Sequence, residues 1–247
     1  LMIKKTVDEI KKSYSSQDYY DLWRDKSKYY NIITEITQRC IKENIYFVSK
    51  EKKVLDAACG TGRNIQLLLN LGAKKVVGID LTPKLLDFAK NKFKSNKKIQ
   101  LFQHNLEEKL PFKNESFDVV ICCKALPHVN HIKQTLNEFN RVLKKGGVMM
   151  IDFYSPYSFR RLFANKDYLR YTRWDSVSRI ESDLKAENLE ITKVYGERTF
   201  MVTEFLVNDF GLYPIFRWLE NTFTNNNLFN RFSGIYTVIA KKPKQSL

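Results

Sequence analysis

A doubly wound α/β fold with a mostly parallel sheet is the class this sequence predicts, and three observations carry it. The apolar run from Val54 to Ala57 enters a tight turn with Gly60 and Gly62, after which Asn64 to Leu71 has the pattern of a helix. A second apolar run, Val76 to Ile79, stops on Asp80. Apolar strands near 53–57, 75–80, 99–103, 117–123 and 147–153 then alternate with helices at 64–71, 83–95 and 132–144. Strand and helix in strict alternation are the mark of βαβ units around a parallel sheet.

Each element has a local reason. Gly60 and Gly62 carry no Cβ, so the chain can turn sharply and let a ligand lie against its N–H groups at a helix start. Thr82-Pro83 offers a cap oxygen and a residue preset for the first helical turn. A last helix is expected near 176–187, followed by strands near 189–195 and 235–241. Before the first strand, Ile3, Val7, Ile10 and Tyr14 recur at helical spacing, and a second helix is expected near 29–48. The resulting organisation is an N-terminal helical cap at 1–50, a ligand-binding core at 51–154 and a basic-aromatic insertion at 155–175. The rest of the core follows at 176–247, with a helical insertion at 199–232. Both insertions leave the end of the sheet where open α/β proteins bind ligands, which makes them the expected substrate cover.

The order of chemistry along these strands builds a nucleotide cradle. Asp80 ends the second strand, where a carboxylate can accept both hydroxyl protons of a ribose. With that acid, Asp56-Ala57-Ala58-Cys59-Gly60-Thr61-Gly62 resembles the class I S-adenosylmethionine-dependent methyltransferases, whose first strand end usually reads acid-x-Gly-x-Gly-x-Gly. Ala58 stands where that pattern has its first glycine. A nicotinamide-binding Rossmann protein is the rival, but Gly-x-Gly-x-x-Gly would need Gly or Ala at Ile65. Farther on, Asn105, Leu110-Pro111-Phe112 and Phe117-Asp118 are similar to the family's third and fourth strand ends. Asn137 to Phe153 matches its helix, Gly-Gly turn and fifth strand. The combination resembles the small-molecule branch related to the ubiquinone and menaquinone methyltransferases.

That resemblance implies a Rossmann-like, mostly parallel seven-stranded sheet with an antiparallel edge strand, and S-adenosyl-L-methionine as the methyl donor. It implies donor contacts at Asp56, Ala57, Gly60, Gly62, Asp80, Leu81, Asn105, Leu106 and Cys123. Asp56 would order the loop and the donor's methionine amino end, and Asp80 would hold the ribose. Asn105, where members usually carry Asp, would accept the adenine amino hydrogen through its amide oxygen, an uncharged acceptor. Relatives fold tyrosines over the methionine end from just before the first strand, which points to Tyr20 and Tyr30. The spacing here is longer, and an ordinary aromatic helix face explains the same residues.

Composition bounds the partners. The chain has 247 residues and 42 Lys and Arg against 27 Asp and Glu, a formal net charge of +15. Such an excess favours acidic partners or an anionic surface, although many lysines are scattered over helices, where they serve solubility. No apolar run reaches membrane-spanning length and no signal-peptide core is visible, so a cytoplasmic location is expected, with peripheral membrane contact left open. Cys40, Cys59, Cys122 and Cys123 lack Cys-x-x-Cys spacing. They read as small apolar packing, with no metal expected.

Three features bear on the acceptor. His128 follows the fourth strand, near where the family brings methyl and acceptor together. Imidazole, a base with an ordinary pKa near neutrality, suits it to take a proton as the methyl arrives; a purely structural histidine is the alternative. Arg160, Arg161, Arg170, Tyr171 and Arg173 interleave charge with aromatic rings, a mixture suited to an anionic or aromatic acceptor, or to a helix with arginines in water. Phe205, Phe210, Tyr213, Phe216, Trp218 and Phe223 form an apolar insertion for a pocket, a dimer or the monomer's own core. The sequence thus reads as a methyltransferase acting on a small molecule, oxygen favoured, by in-line displacement, in a monomer or homodimer. An RNA methyltransferase is the runner-up, motivated by charge but lacking an Asn-Pro signature after the fourth strand. A non-catalytic donor-binding regulatory or assembly protein is the third reading.

Overall fold

The computed structural model describes residues 28–49, 51–158, 172–197, 211–223 and 233–244, together with positions 6, 8, 9, 12 and 161. Along the described chain run α1 (Lys28–Ser49), β1 (Lys53–Ala57), α2 (Arg63–Asn70), β2 (Lys75–Asp80), α3 (Pro83–Phe93) and β3 (Ile99–Gln103). Then come β4 (Phe117–Cys122), a single 3₁₀ turn (Leu126–His128), α4 (Ile132–Val142) and β5 (Leu143–Tyr154). The chain ends with α5 (Val177–Ala186), β6 (Glu190–Glu197), α6 (Tyr213–Phe223) and β7 (Ile235–Lys241).

The strands form one seven-stranded sheet in the order β3-β2-β1-β4-β5-β7-β6. β1 to β5 are parallel, and β7 lies antiparallel between β5 and β6 at one side of the sheet. The strands are apolar on both faces because helices cover both, the condition under which alternation gives way to continuous hydrophobic runs. Successive residues still divide between two cores: Leu55, Val77, Val120 and Met149 face one layer, and Val54, Val76, Val119 and Met150 the other. Cys122 packs in the first and Cys123 against the second, as adjacent strand residues must.

The N-terminal helix is more than a cap. Ile36, Cys40, Ile41 and Ile45 of α1 are buried and share a core with Val119, Ile121 and Val148 of the sheet. Helix α6 sits against α1: Tyr213 Oη donates to Glu35 Oε1 at 3.2 Å, and Arg217 Nε donates to Glu35 Oε2 at 2.7 Å. Of the apolar insertion, Tyr213 packs against the core while Ile215 and Trp218 are exposed; Phe205, Phe210 and the side chains of Phe216 and Phe223 lie outside the described residues.

Two local expectations are corrected. The fifth strand begins at Leu143 rather than near 147, because a bulge lets Phe117 pair with Leu143 while Val119 pairs with Val148. Gly147 permits it: a Cβ there would lie 2.7 Å from Lys144 O and 2.9 Å from Asp118 O. At the start of α3, Pro83 occupies the first turn as expected, but the Thr82 side chain makes no cap hydrogen bond. Asp80 engages the Thr82 N–H instead.

Candidate active site

The pairing of Ala57 with Ile79 and of Asp56 with Ile121 brings the ends of β1, β2 and β4 level, so their loops meet over one cavity. It is lined by Ala58, Gly60, Asp80, Leu81, Asn105, Leu106, Glu107, Cys123, Lys124 and His128, with Thr34 and Thr37 of α1 closing one side. Most of the expected contact residues are therefore assembled from four separate loops. Asp56, Ala57 and Gly62 are not among the residues lining it.

The glycine loop is held by Asp80. Its Oδ2 accepts the Gly60 N–H at 2.8 Å and its Oδ1 accepts the Thr82 N–H at 2.8 Å. Burial raises the Asp80 pKa, and these backbone bonds oppose the shift by stabilising the anion. The Thr82 hydroxyl and the Leu81 N–H add to the donors around this carboxylate, which lines the cavity. Ala58, Gly60 and Gly62 all have positive φ, at 62°, 51° and 80°. A Cβ on Gly62 would fall 2.5 Å from the Phe93 ring; on Gly60 it would meet nothing closer than Leu85 at 4.0 Å, at the cavity wall where a ligand would lie. Ala58 adopts a backbone that glycine takes without strain, which disfavours it by about 1 kcal/mol. Replacing Ala58 with Gly is expected to stabilise the fold by about 0.5 kcal/mol once the looser unfolded chain is counted. Urea unfolding checks this, and a loss of stability would show that the Ala58 methyl group packs usefully.

Asp56 is fully buried, and neither carboxylate oxygen has a hydrogen-bond partner among the described residues. Desolvation, then the nearby charge of Asp80, pushes its pKa up to about 8. The loop-ordering part expected of Asp56 thus falls to Asp80. An unsatisfied buried carboxyl beneath a nucleotide-type cavity is the kind of group a ligand or ordered water completes.

In the loop after β3, Asn105 Oδ1 accepts the Glu107 N–H at 3.1 Å, which shapes the turn and leaves the amide oxygen one further lone pair. Glu107 is a residue the sequence reading missed. Its Oε1 accepts the N–H groups of Asn130 and of His131, the latter at 2.8 Å, and its Oε2 accepts from Asn130 Nδ2 at 3.3 Å. Thr135 Oγ1 adds a bond to Leu106 O at 3.1 Å, and Gln134 Nε2 one to Glu107 O at 2.9 Å. A carboxylate from one loop thereby caps the start of α4, where His131 supplies no side-chain cap. Glu107→Ala is expected to cost about 2 kcal/mol of stability, read as a lowered urea midpoint; Glu107→Gln should recover part, because one oxygen remains.

At the ends of β4 and β5, His128 lies edge-on to Tyr154 with centroids 6.1 Å apart, and Tyr154 contacts Trp174 at 5.6 Å. Lys124 lies beside it in the cavity wall, tied to Asp152 by its ammonium at 3.2 Å. Arg173 is no free anion receptor: its half-buried side chain grips Asp175 through Nε at 3.1 Å and Nη2 at 2.9 Å. Arg161 is exposed, bonds Pro156 O at 3.4 Å, and does not line the cavity. Tyr20, Arg160, Arg170, Tyr171 and the Tyr30 side chain lie outside the described residues. Arg63, Lys124, Thr34 and Thr37 also line the cavity, and Asp152 holds Lys124 from behind; spacing alone did not single these out.

A sheet in this order, with a glycine loop, a ribose-type acid and an adenine-type loop around one cavity, defines a donor-binding methyltransferase fold. Residues 55–151 match the methyltransferase domain family. An uncharacterised protein of Methanocaldococcus jannaschii is 34% identical over 206 residues, 82% of this chain and 70% of that protein. The demethylmenaquinone methyltransferase of Chlorobaculum parvum is 34% identical over 122 residues, 49% of this chain, and the match spans about half of that relative, 48%. A crystal structure of an S-adenosylmethionine-dependent methyltransferase from Mesorhizobium loti superposes with a TM-score of 0.62 at 17% identity, covering 88% of this chain and 99% of that one, which attests the fold. The chain belongs to the class I S-adenosylmethionine-dependent methyltransferases. S-adenosylmethionine is its cofactor, and the open wall at Gly60, the Asp80 carboxylate and the unsatisfied Asp56 suit it. Among the described residues no helix is long and apolar enough to cross a membrane.

Proposed function

We propose that this enzyme methylates an oxygen of a small-molecule acceptor, with His128 taking the acceptor's proton. The observation that carries the reading is continuity: Asp80, Asn105 and Leu106 at the donor end and Lys124 and His128 at the β4 end line the same cavity. The Chlorobaculum parvum relative is a demethylmenaquinone methyltransferase, which supports a small acceptor. Bound S-adenosylmethionine supplies a methyl group on a sulfonium whose charge already activates the leaving group. The protein's part is then alignment and exclusion of water. In the proposed site Asp80 fixes the ribose end, and Asp56 with the glycine loop fixes the methionine end. Asn105 and Leu106 hold the adenine edge, the turn Leu126–His128 presents the imidazole, and Leu81, Cys123, Tyr20 and Tyr30 complete the donor's surroundings. Arg160, Arg161, Arg170 and Tyr171 are proposed at the outer rim of the acceptor site.

His128→Ala is expected to lower kcat by about 100-fold while S-adenosylhomocysteine affinity changes less than about twofold. Equal turnover in variant and parent would make His128 structural.

The charge of +15 keeps an RNA acceptor as a second reading. Binding of a labelled tRNA pool across a salt series separates the two, because RNA engagement releases many counterions and weakens steeply with salt. Weak binding with a shallow slope is expected, and little altered by Arg160→Ala or Arg170→Ala. Tight binding with a slope of many ions would overturn the small-molecule assignment.

A further inference from the structure

We propose that Lys124, set in place by Asp152, selects an acceptor that presents an oxyanion or an acidic hydroxyl, the atom that is methylated. The proposal deepens the small-molecule reading and rests on it. Lys124 follows the end of β4, and Asp152 lies near the end of the neighbouring β5, the side of a parallel sheet where ligands bind. Asp152 is 1% exposed, yet both its oxygens are engaged by Lys124: the backbone N–H lies 2.7 Å from Oδ1 and 2.9 Å from Oδ2, and Nζ lies 3.2 Å from Oδ2. To make this arrangement Lys124 takes a φ of 62°, a conformation disfavoured by about 1 kcal/mol for a side chain with a Cβ. A lysine held in a strained backbone by a buried acid, in the wall of a substrate cavity, is the kind of outlier that argues function.

Among the described residues four charged side chains stand in the cavity wall: Asp80 at the end of β2, Glu107 on the loop after β3, Arg63 at the start of α2, and Lys124 on the same loop after β4 as His128. An ammonium alone would also disfavour a cationic donor in the same cavity; Asp152 offsets that field at long range, while an acceptor oxygen would meet the ammonium at hydrogen-bond distance. A carboxylate, phenol or enol answers this chemistry. With an ionised acceptor, a lone pair on its oxygen forms the new bond to the methyl carbon, and the pair of the breaking carbon–sulfur bond returns to sulfur. Oxyanion and sulfonium charges cancel. With an acidic hydroxyl, its proton passes to the His128 imidazole, and the bond changes are the same.

Calorimetry on the full chain saturated with S-adenosylhomocysteine tests the assignment with three probes of one shape: benzoate, benzamide and benzylammonium. Benzoate is expected to bind about tenfold more tightly than benzamide, and benzylammonium least. Lys124→Met should erase the benzoate preference, and Lys124→Arg should keep most of it. S-adenosylhomocysteine binding in each variant reports an intact fold and donor site. Equal binding of benzoate and benzamide by the parent, or an unchanged preference in Lys124→Met, overturns the role of Lys124 alone. A parent that binds tRNA tightly and none of the three probes overturns the small-molecule reading with it.

Discussion

Asp80→Ala is expected to weaken S-adenosylmethionine and S-adenosylhomocysteine binding by at least about 100-fold and to lower stability by about 2 kcal/mol. The sequence assigns Asp80 only the ribose, but the structure gives its two oxygens the N–H groups of Gly60 and Thr82 as well. Each bond to a charged group is worth roughly 1.5 to 3 kcal/mol, and relief from burying the carboxylate returns part of the sum. The affinity loss follows from two sources: hydroxyl acceptors disappear, and the loop around Gly60 loses the anchor that shapes it. Isothermal titration with both ligands and a urea melt of the free protein separate these contributions. An affinity loss with unchanged stability would mean that the loop holds its shape without Asp80, and unchanged affinity would move the ribose site elsewhere.

The second large effect is a pH dependence of stability set by Asp56. Its pKa is pushed up to about 8 in the folded protein by burial and by Asp80, against roughly 4 in an unfolded chain. Below pH 4 both states hold the proton and Asp56 contributes no penalty. Between pH 4 and 8 the unfolded chain releases the proton while the folded protein keeps it, so stability falls as pH rises. The limiting slope is about 1.4 kcal/mol per pH unit, and it flattens above pH 8. Asp56→Asn, a neutral group of the same shape, should remove this slope and be the more stable protein at neutral pH. Urea midpoints of parent and variant at pH 5, 6, 7 and 8 measure the difference. Parallel curves would show that Asp56 is ionised in the native state, balanced by a partner such as ordered water.

Much of the cavity's lining was legible because its signals are local. The turn at Gly60 and Gly62, the acid closing β2, and the Asn105-Leu106 pair after β3 each sit within a few residues of a strand end, and strand ends are marked by apolar runs. Cys122 and Cys123 enter opposite cores for an equally local reason, because neighbouring residues of a strand face opposite sides. Less legible were contacts between segments distant in sequence. Glu107 caps α4 from 24 residues away, Lys124 meets Asp152 across 28, and no spacing rule joins such pairs. Arg173 shows the reverse error: read among aromatics and arginines it resembled an anion receptor, but buried Asp175, two residues on, engages its Nε and Nη2.

What the sequence by itself determined is the order of strands and helices, the doubly wound class and the chemical identity of the donor loops, since periodicity, glycine and a strand-terminal acid act through neighbouring residues. Only the tertiary structure decided how those loops are held and what faces the acceptor. Asp80 became the anchor of the glycine loop, Asp56 was left buried without a partner, α1 closed the cavity with Thr34 and Thr37, and Lys124 was drawn onto Asp152. The physical reason is that desolvation and charge pairing depend on distance in space. The register of β1, β2, β4 and β5 sets that distance, and chain spacing does not.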